Sequence, residues 1–126
     1  MLSPPWDITT LGIDIAAVTR PDEQKIQFTS TKPELSLLHA TEVDGECHGI
    51  CSTVDDTLVV SFIEPAKVEV LDNNRSVLCE ISTNASCKSL FECPYYVTVV
   101  TENGHDVMFV SNEGTFKLTK LTMTDK

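Results

Sequence analysis

Residues 47–51 read Cys-His-Gly-Ile-Cys and bring two thiols and an imidazole within one short stretch. A cysteine nucleophile needs a neighbouring base and zinc needs soft ligands, so thiol hydrolysis and metal binding are the chemistries to weigh here. Spacing speaks against both. On a strand, Cys47 and His48 point to opposite faces, and a C-H-x-x-C run offers too few ligands for a closed zinc site, with no paired C-x-x-C or C-x-x-H spacing elsewhere. The expectation is a chain that is not an enzyme and carries no metal or other cofactor.

His48 belongs to a different pattern. It stands nineteen residues before Lys67, Trp6 stands nineteen before Lys25, and Tyr95 stands twenty-two before Lys117. Each lysine follows by six positions a residue with a hydroxyl group, Thr19, Ser61 or Ser111, and precedes an aliphatic one, Ile26, Val68 or Leu118. Self-similarity at a period of 42 and then 50 residues is the mark of repeated units, and it decides the architecture.

Each unit reads as a set of strands. A first strand spans 8–11, 50–53 or 97–100 and leads into a turn at Gly12, Asp55-Asp56 or Asn103-Gly104, the last a strong hairpin signal. A nearly continuous apolar run follows at 15–18, 58–60 or 107–110, as expected of a strand covered on both faces. The lysine segments K-I-Q-F, K-V-E-V and K-L-T-K alternate, which predicts cover on one side only. Their lysines are expected to lay their stems on the sheet edge with the ammonium in water. A fourth strand shows at 34–40 and 77–81, and no unit has helical periodicity.

Four antiparallel strands per unit of about 40–50 residues describe a blade of a β-propeller. The fold class is therefore all-β, a partial propeller of about three blades, spanning about 4–43, 45–90 and, incomplete, 91–126. Closed rings hold roughly four to eight blades. Either this is part of a longer propeller, the favoured expectation because the third unit stops early, or two copies form a homodimer that completes a six-bladed ring.

Composition sets the bounds on partners. The chain has 126 residues, is 41 % hydrophobic and carries a formal charge of −10, with its acidic residues dispersed. Such a surface repels phosphate backbones and anionic lipid, so neither nucleic acid nor membrane is expected as a partner. No apolar run is long enough to span a bilayer, and MLSPPWDITT lacks the basic and hydrophobic regions of a secretion signal. Five cysteines, an odd number, fit reduced thiols in the cytoplasm. The Asn74 and Asn84 sequons matter only on a secretory route.

The run C-H-G-I-C-S-T-V-D-D-T-L-V-V-S-F-I-E-P-A-K-V-E-V-L-D-N-N-R-S-V-L, with W-D-I-T-T-L before it and F-V-S-N-E-G-T-F-K-L-T-K-L after it, resembles NHL-type propeller blades. In particular it resembles the C-terminal propellers of tripartite-motif proteins of the mollusc and related invertebrate type. The resemblance implies a non-catalytic module that selects a protein partner. In that family ubiquitin transfer comes from a RING domain, and zinc-binding B-boxes and a coiled coil complete the protein; none of these is encoded here. The alternatives are the substrate-selecting part of a ubiquitin ligase and a secreted ligand-binding propeller.

Two sets of residues are candidates for binding. Trp6, His48 and Tyr95 occupy equivalent positions at the entry to the innermost strands, where hydrogen-bonding rings could form a ligand surface or wedge the blades apart. Arg20, Glu64 and Glu113 sit between second and third strands, where the copies differ and where loops on a rigid scaffold carry specificity.

Overall fold

Hairpin chemistry places the first two strands of every unit. Asn103 and Gly104 both adopt positive φ, 53° and 80°, and close a two-residue turn whose twist matches the flanking strands, with His105 opposite Glu102. The computed structural model of the chain describes residues 4–72, 74, 76–82, 91–114 and 117–123. The turn residues Asn73 and Arg75, the Asn84 sequon and Cys87 lie outside them.

The first sheet holds β1 (Ile8–Leu11), β2 (Ile15–Arg20), β3 (Lys25–Ser30) and β4 (Ser36–Glu42) in that order. The second holds β5 (Cys47–Ser52), β6 (Leu58–Phe62), β7 (Lys67–Leu71) and β8 (Val77–Ile81). The third holds β9 (Pro94–Glu102), β10 (His105–Asn112) and β11 (Lys117–Met123), with β9 and β10 making a long hairpin. All neighbours are antiparallel. Among the described residues the helical content is one 3-10 turn, Pro21–Glu23.

The sheets pack side by side, with β1 against β5 and β5 against β9, so the first strand of each unit is the innermost. This is a partial β-propeller, as the repeat predicts. The period-two rule then assigns the core. Along β6, Leu58, Val60 and Phe62 face back onto the first sheet and meet Leu11, Ala17, Ile26 and Phe28. The intervening Val59 faces onward and joins Val68, Val70, Val97, Met108 and Val110 against the third sheet. Since β6 is covered on both sides, its apolar run has no polar positions to alternate with.

Two expectations are corrected. Every residue of β7 is buried, because the second sheet has a neighbour on each side and its third strand is covered twice. The ammonium of Lys67 is not in water either: its side chain is 3 % exposed, and Nζ lies 2.8 Å from Glu69 Oε2, 3.7 Å from Asp44 Oδ2 and 3.8 Å from Glu80 Oε2. Burial alone would lower its pKa, but the bond to Glu69 and the charges of Glu69, Glu80 and Asp44 together outweigh this and hold it above the ordinary 10.5. Lys117, in the third sheet, is exposed as expected.

Candidate functional site

The inner strands are stitched at their entries. Asp7 donates its amide to Thr19 Oγ1 at 3.1 Å, while its carboxylate accepts from Ile8 N at 2.8 Å and from Ile50 N at 3.1 Å, tying β1 to β5. Thr19 Oγ1 donates to the His48 carbonyl at 2.6 Å, a second buried link between the first and second sheets. Ser61, the equivalent hydroxyl of the second sheet, accepts from Gly49 N at 2.9 Å. Gly49 has to be glycine for a steric reason: a Cβ there would lie 2.7 Å from Tyr96 Cα and 2.8 Å from the Tyr95 carbonyl oxygen. Its missing side chain lets β5 and β9 approach backbone to backbone.

That approach assembles the rings. Trp6, from the first unit, stacks on Tyr95 of the third at 5.2 Å between centroids and meets His48 of the second edge-on at 4.6 Å. His48 and Tyr95 are edge-to-face at 5.2 Å. The three residues that sequence equivalence singled out therefore form one cluster across three sheets. Tyr96 adds a fourth ring, stacked on Trp6 at 6.0 Å. Trp6 and Tyr96 present the accessible surface, 41 % and 48 % exposed.

His48 sits under them. Its Nε2 is 3.7 Å from Glu46 Oε1, and its Nδ1 is buried without a hydrogen-bond partner among the described residues. Burial pushes its pKa below the ordinary 6.5, and the charges of Glu46 and Asp22 recover only part of the shift. The imidazole is thus neutral at physiological pH and works as a ring, not as a cation.

The neighbouring thiol does not form a dyad with it. Cys47 is fully buried and donates its thiol to the Lys25 carbonyl at 3.3 Å, and burial raises its pKa to about 11. Cys51 is likewise raised to about 11, chiefly by burial. Both are thiols, not nucleophilic thiolates, at neutral pH.

Arg20, Glu64 and Glu113 fall at the same end of the sheets, since the turn from second to third strand lies beside the start of the first. Arg20 closes β2, half-buried, while Glu64 and Glu113 are exposed in the following loops. They line the rim of that end. Sequence reasoning missed Asp7 and Tyr96. The doublet Tyr95-Tyr96 carried a signal for the latter, as period two sends one of its rings to each side of β9.

Solved structures match this chain as folds. A catalytically inactive H270A virginiamycin B lyase from Staphylococcus aureus, solved with quinupristin, aligns with a TM-score of 0.71 at 17 % identity over 98 % of this chain and 40 % of its own. Hydrazine synthase from Kuenenia stuttgartiensis aligns at 0.68 with 14 % identity over 98 % and 37 %. A functionally unknown protein from Desulfotomaculum acetoxidans aligns at 0.65 with 12 % identity over 94 % and 40 %. The chain thus spans about two fifths of the length of these proteins. At such identities the likeness is one of fold. No family model and no curated protein sequence matches the chain.

Proposed function

We propose that the chain is a non-catalytic protein-recognition module that binds its partner across the strand-entry end, through the Trp6, Tyr95 and Tyr96 rings with Arg20, Glu64 and Glu113 on the rim. The observation that carries this reading is the convergence of rings from three sheets on a half-exposed tryptophan. Tryptophan and tyrosine concentrate binding energy at protein interfaces because they bury large area with few rotors. The −10 charge favours a partner with a basic patch over one rich in phosphate. The protonated thiols of buried Cys47 and half-buried Cys51 favour binding over thiol chemistry.

The likeness of the repeat to NHL blades supports partner or substrate selection of the tripartite-motif kind, with any ubiquitin-ligase activity supplied by segments other than this one. Free cysteines at 47, 51, 79 and 93 favour the cytoplasm over a secreted role. The test is affinity capture from cells with the chain as bait, read by quantitative mass spectrometry. Proteins that bind through this end are retained by Val54→Ala, a change in an exposed hairpin at the far end, and lost with the pair Trp6→Ala and Tyr96→Ala. Equal capture by all three baits would refute the reading.

A further inference from the structure

We propose that the outer edge of the first sheet takes up an extended basic segment of a partner protein as an added strand, with one lysine or arginine of that segment seated in the cleft between the first and second sheets. The cleft is walled by two neighbouring sheets of this chain and is separate from the ring surface around Trp6.

Strand β4 ends the order of the first sheet, so one of its edges carries backbone groups with no strand beside them. Sheet edges are commonly guarded by charged side chains or proline. Residues 36–41 hold neither, and Leu35 and Leu37 are 76 % and 64 % exposed. The outer strand of the second sheet, β8, does carry a charge, Glu80. Beyond the register shift between Gln27 and Thr29, β4 pairs regularly, with Ala40, Thr41 and Glu42 opposite Gln27, Ile26 and Lys25. This regular run is the template.

It leads into a cavity. Thr41, Glu42, Val43 and Asp44 from the first sheet and its exit line a space of about 310 Å³ together with Glu69, Leu71 and Val77 of the second. Thr41 shares the face of its partner Ile26, which is buried against the second sheet, so a residue added beside Thr41 points the same way, into the cleft. The size lies at the low end for ligand pockets and suits one long side chain.

Charge decides which side chain that is. Asp44, Glu69 and Glu80 share the ammonium of Lys67, at 3.7, 2.8 and 3.8 Å, which leaves a negative surplus at the cleft. Val43, Leu71 and Val77 supply aliphatic wall. A lysine or arginine matches both, its stem against the wall and its head toward the carboxylates. A second copy of this chain matches neither, since it too carries −10 and an antiparallel β4 pair brings the Glu34 end of one strand beside the Glu42 end of the other.

Fluorescence anisotropy of a short labelled peptide of alternating threonine and valine with one central lysine tests this. The expected result is saturable binding to the purified chain. Replacing the lysine by norleucine weakens it by about 10- to 150-fold, the worth of a hydrogen bond between charged groups. Methylating every second peptide amide abolishes binding in one phase and spares it in the other, because a strand edge uses alternate amides. Glu42→Gln with Asp44→Asn, both exposed, weakens binding by about 2- to 5-fold. Asp55→Asn with Asp56→Asn makes the same change of net charge in an exposed hairpin and leaves binding unaltered, as does Trp6→Ala. No saturable binding would overturn the proposal, as would equal affinity for the lysine and norleucine peptides or equal tolerance of both methylation phases. Loss of peptide binding as the chain concentration rises would give the edge to a second copy and overturn it too. Partner capture through Trp6 and Tyr96 is read separately, so the two proposals fail independently.

Discussion

Replacing Lys67 by methionine removes a charge that the second sheet holds almost entirely away from water. Methionine keeps the length and the contact with Phe62, whose ring centroid lies 4.9 Å from Nζ. It abandons Glu69, which is 4 % exposed at the side chain and loses its partner at 2.8 Å. At an effective dielectric of about 20, two unit charges at that distance attract by about 6 kcal/mol. The desolvation of both ions offsets part of this, but in the variant Glu69 still bears its own share without return. Breaking a buried pair in this way costs about 3–5 kcal/mol. Asp44 and Glu80, 95 % and 51 % exposed, are well hydrated and contribute less.

For a chain of this size, such a loss lowers the melting temperature by about 12–20 °C. The assay is a thermal and urea melt followed by circular dichroism. The comparison that isolates the cause is Lys67→Met with Glu69→Leu, which removes both charges and recovers most of the stability. The reasoning fails if the single variant lies within about 0.5 kcal/mol of the parent, the range typical of surface substitutions. It fails equally if the double variant is no more stable than the single one.

Two further outcomes follow from the inner strands. Gly49→Ala forces a methyl group against the backbone of Tyr95 and Tyr96 and costs about 1–3 kcal/mol in a urea melt, an overpacking effect with no cavity to absorb it. His48 makes stability depend on pH: its folded-state pKa lies below 6.5, so the unfolded chain binds more protons there, and stability falls as pH drops from 6.5 through the folded value. His48→Phe keeps a ring against Trp6 and flattens this dependence by up to about 1.4 kcal/mol per pH unit, and identical pH profiles for parent and variant would contradict the assignment.

The strands were legible because a propeller blade writes each of them in a local pattern. Strand β1 and strand β8 fall where their apolar residues and bounding turns put them, and all three lysine strands begin at their lysines. Burial was harder to read, because it depends on the neighbouring sheet. The three lysines look alike in sequence, yet only in K-V-E-V does an acid stand two residues on, on the same face, where the other units have Gln27 and Thr119. Glu80 completes that pair from the adjacent strand, opposite Glu69, a relation fixed by the β7–β8 register. The ring cluster was half legible. Equivalence of Trp6, His48 and Tyr95 placed one ring on each sheet, but the reach of Trp6 over the second sheet to Tyr96 depends on the close approach that Gly49 permits.

The chain contains one tryptophan and two tyrosines, and both tyrosines stack on the tryptophan. Light absorbed by Tyr95 or Tyr96 passes to Trp6 while the blades are seated, so the phenolic emission is dark in the native state and appears when Trp6 lifts away. The molecule thereby carries its own unlabelled optical gauge of the spacing between its first and third blades.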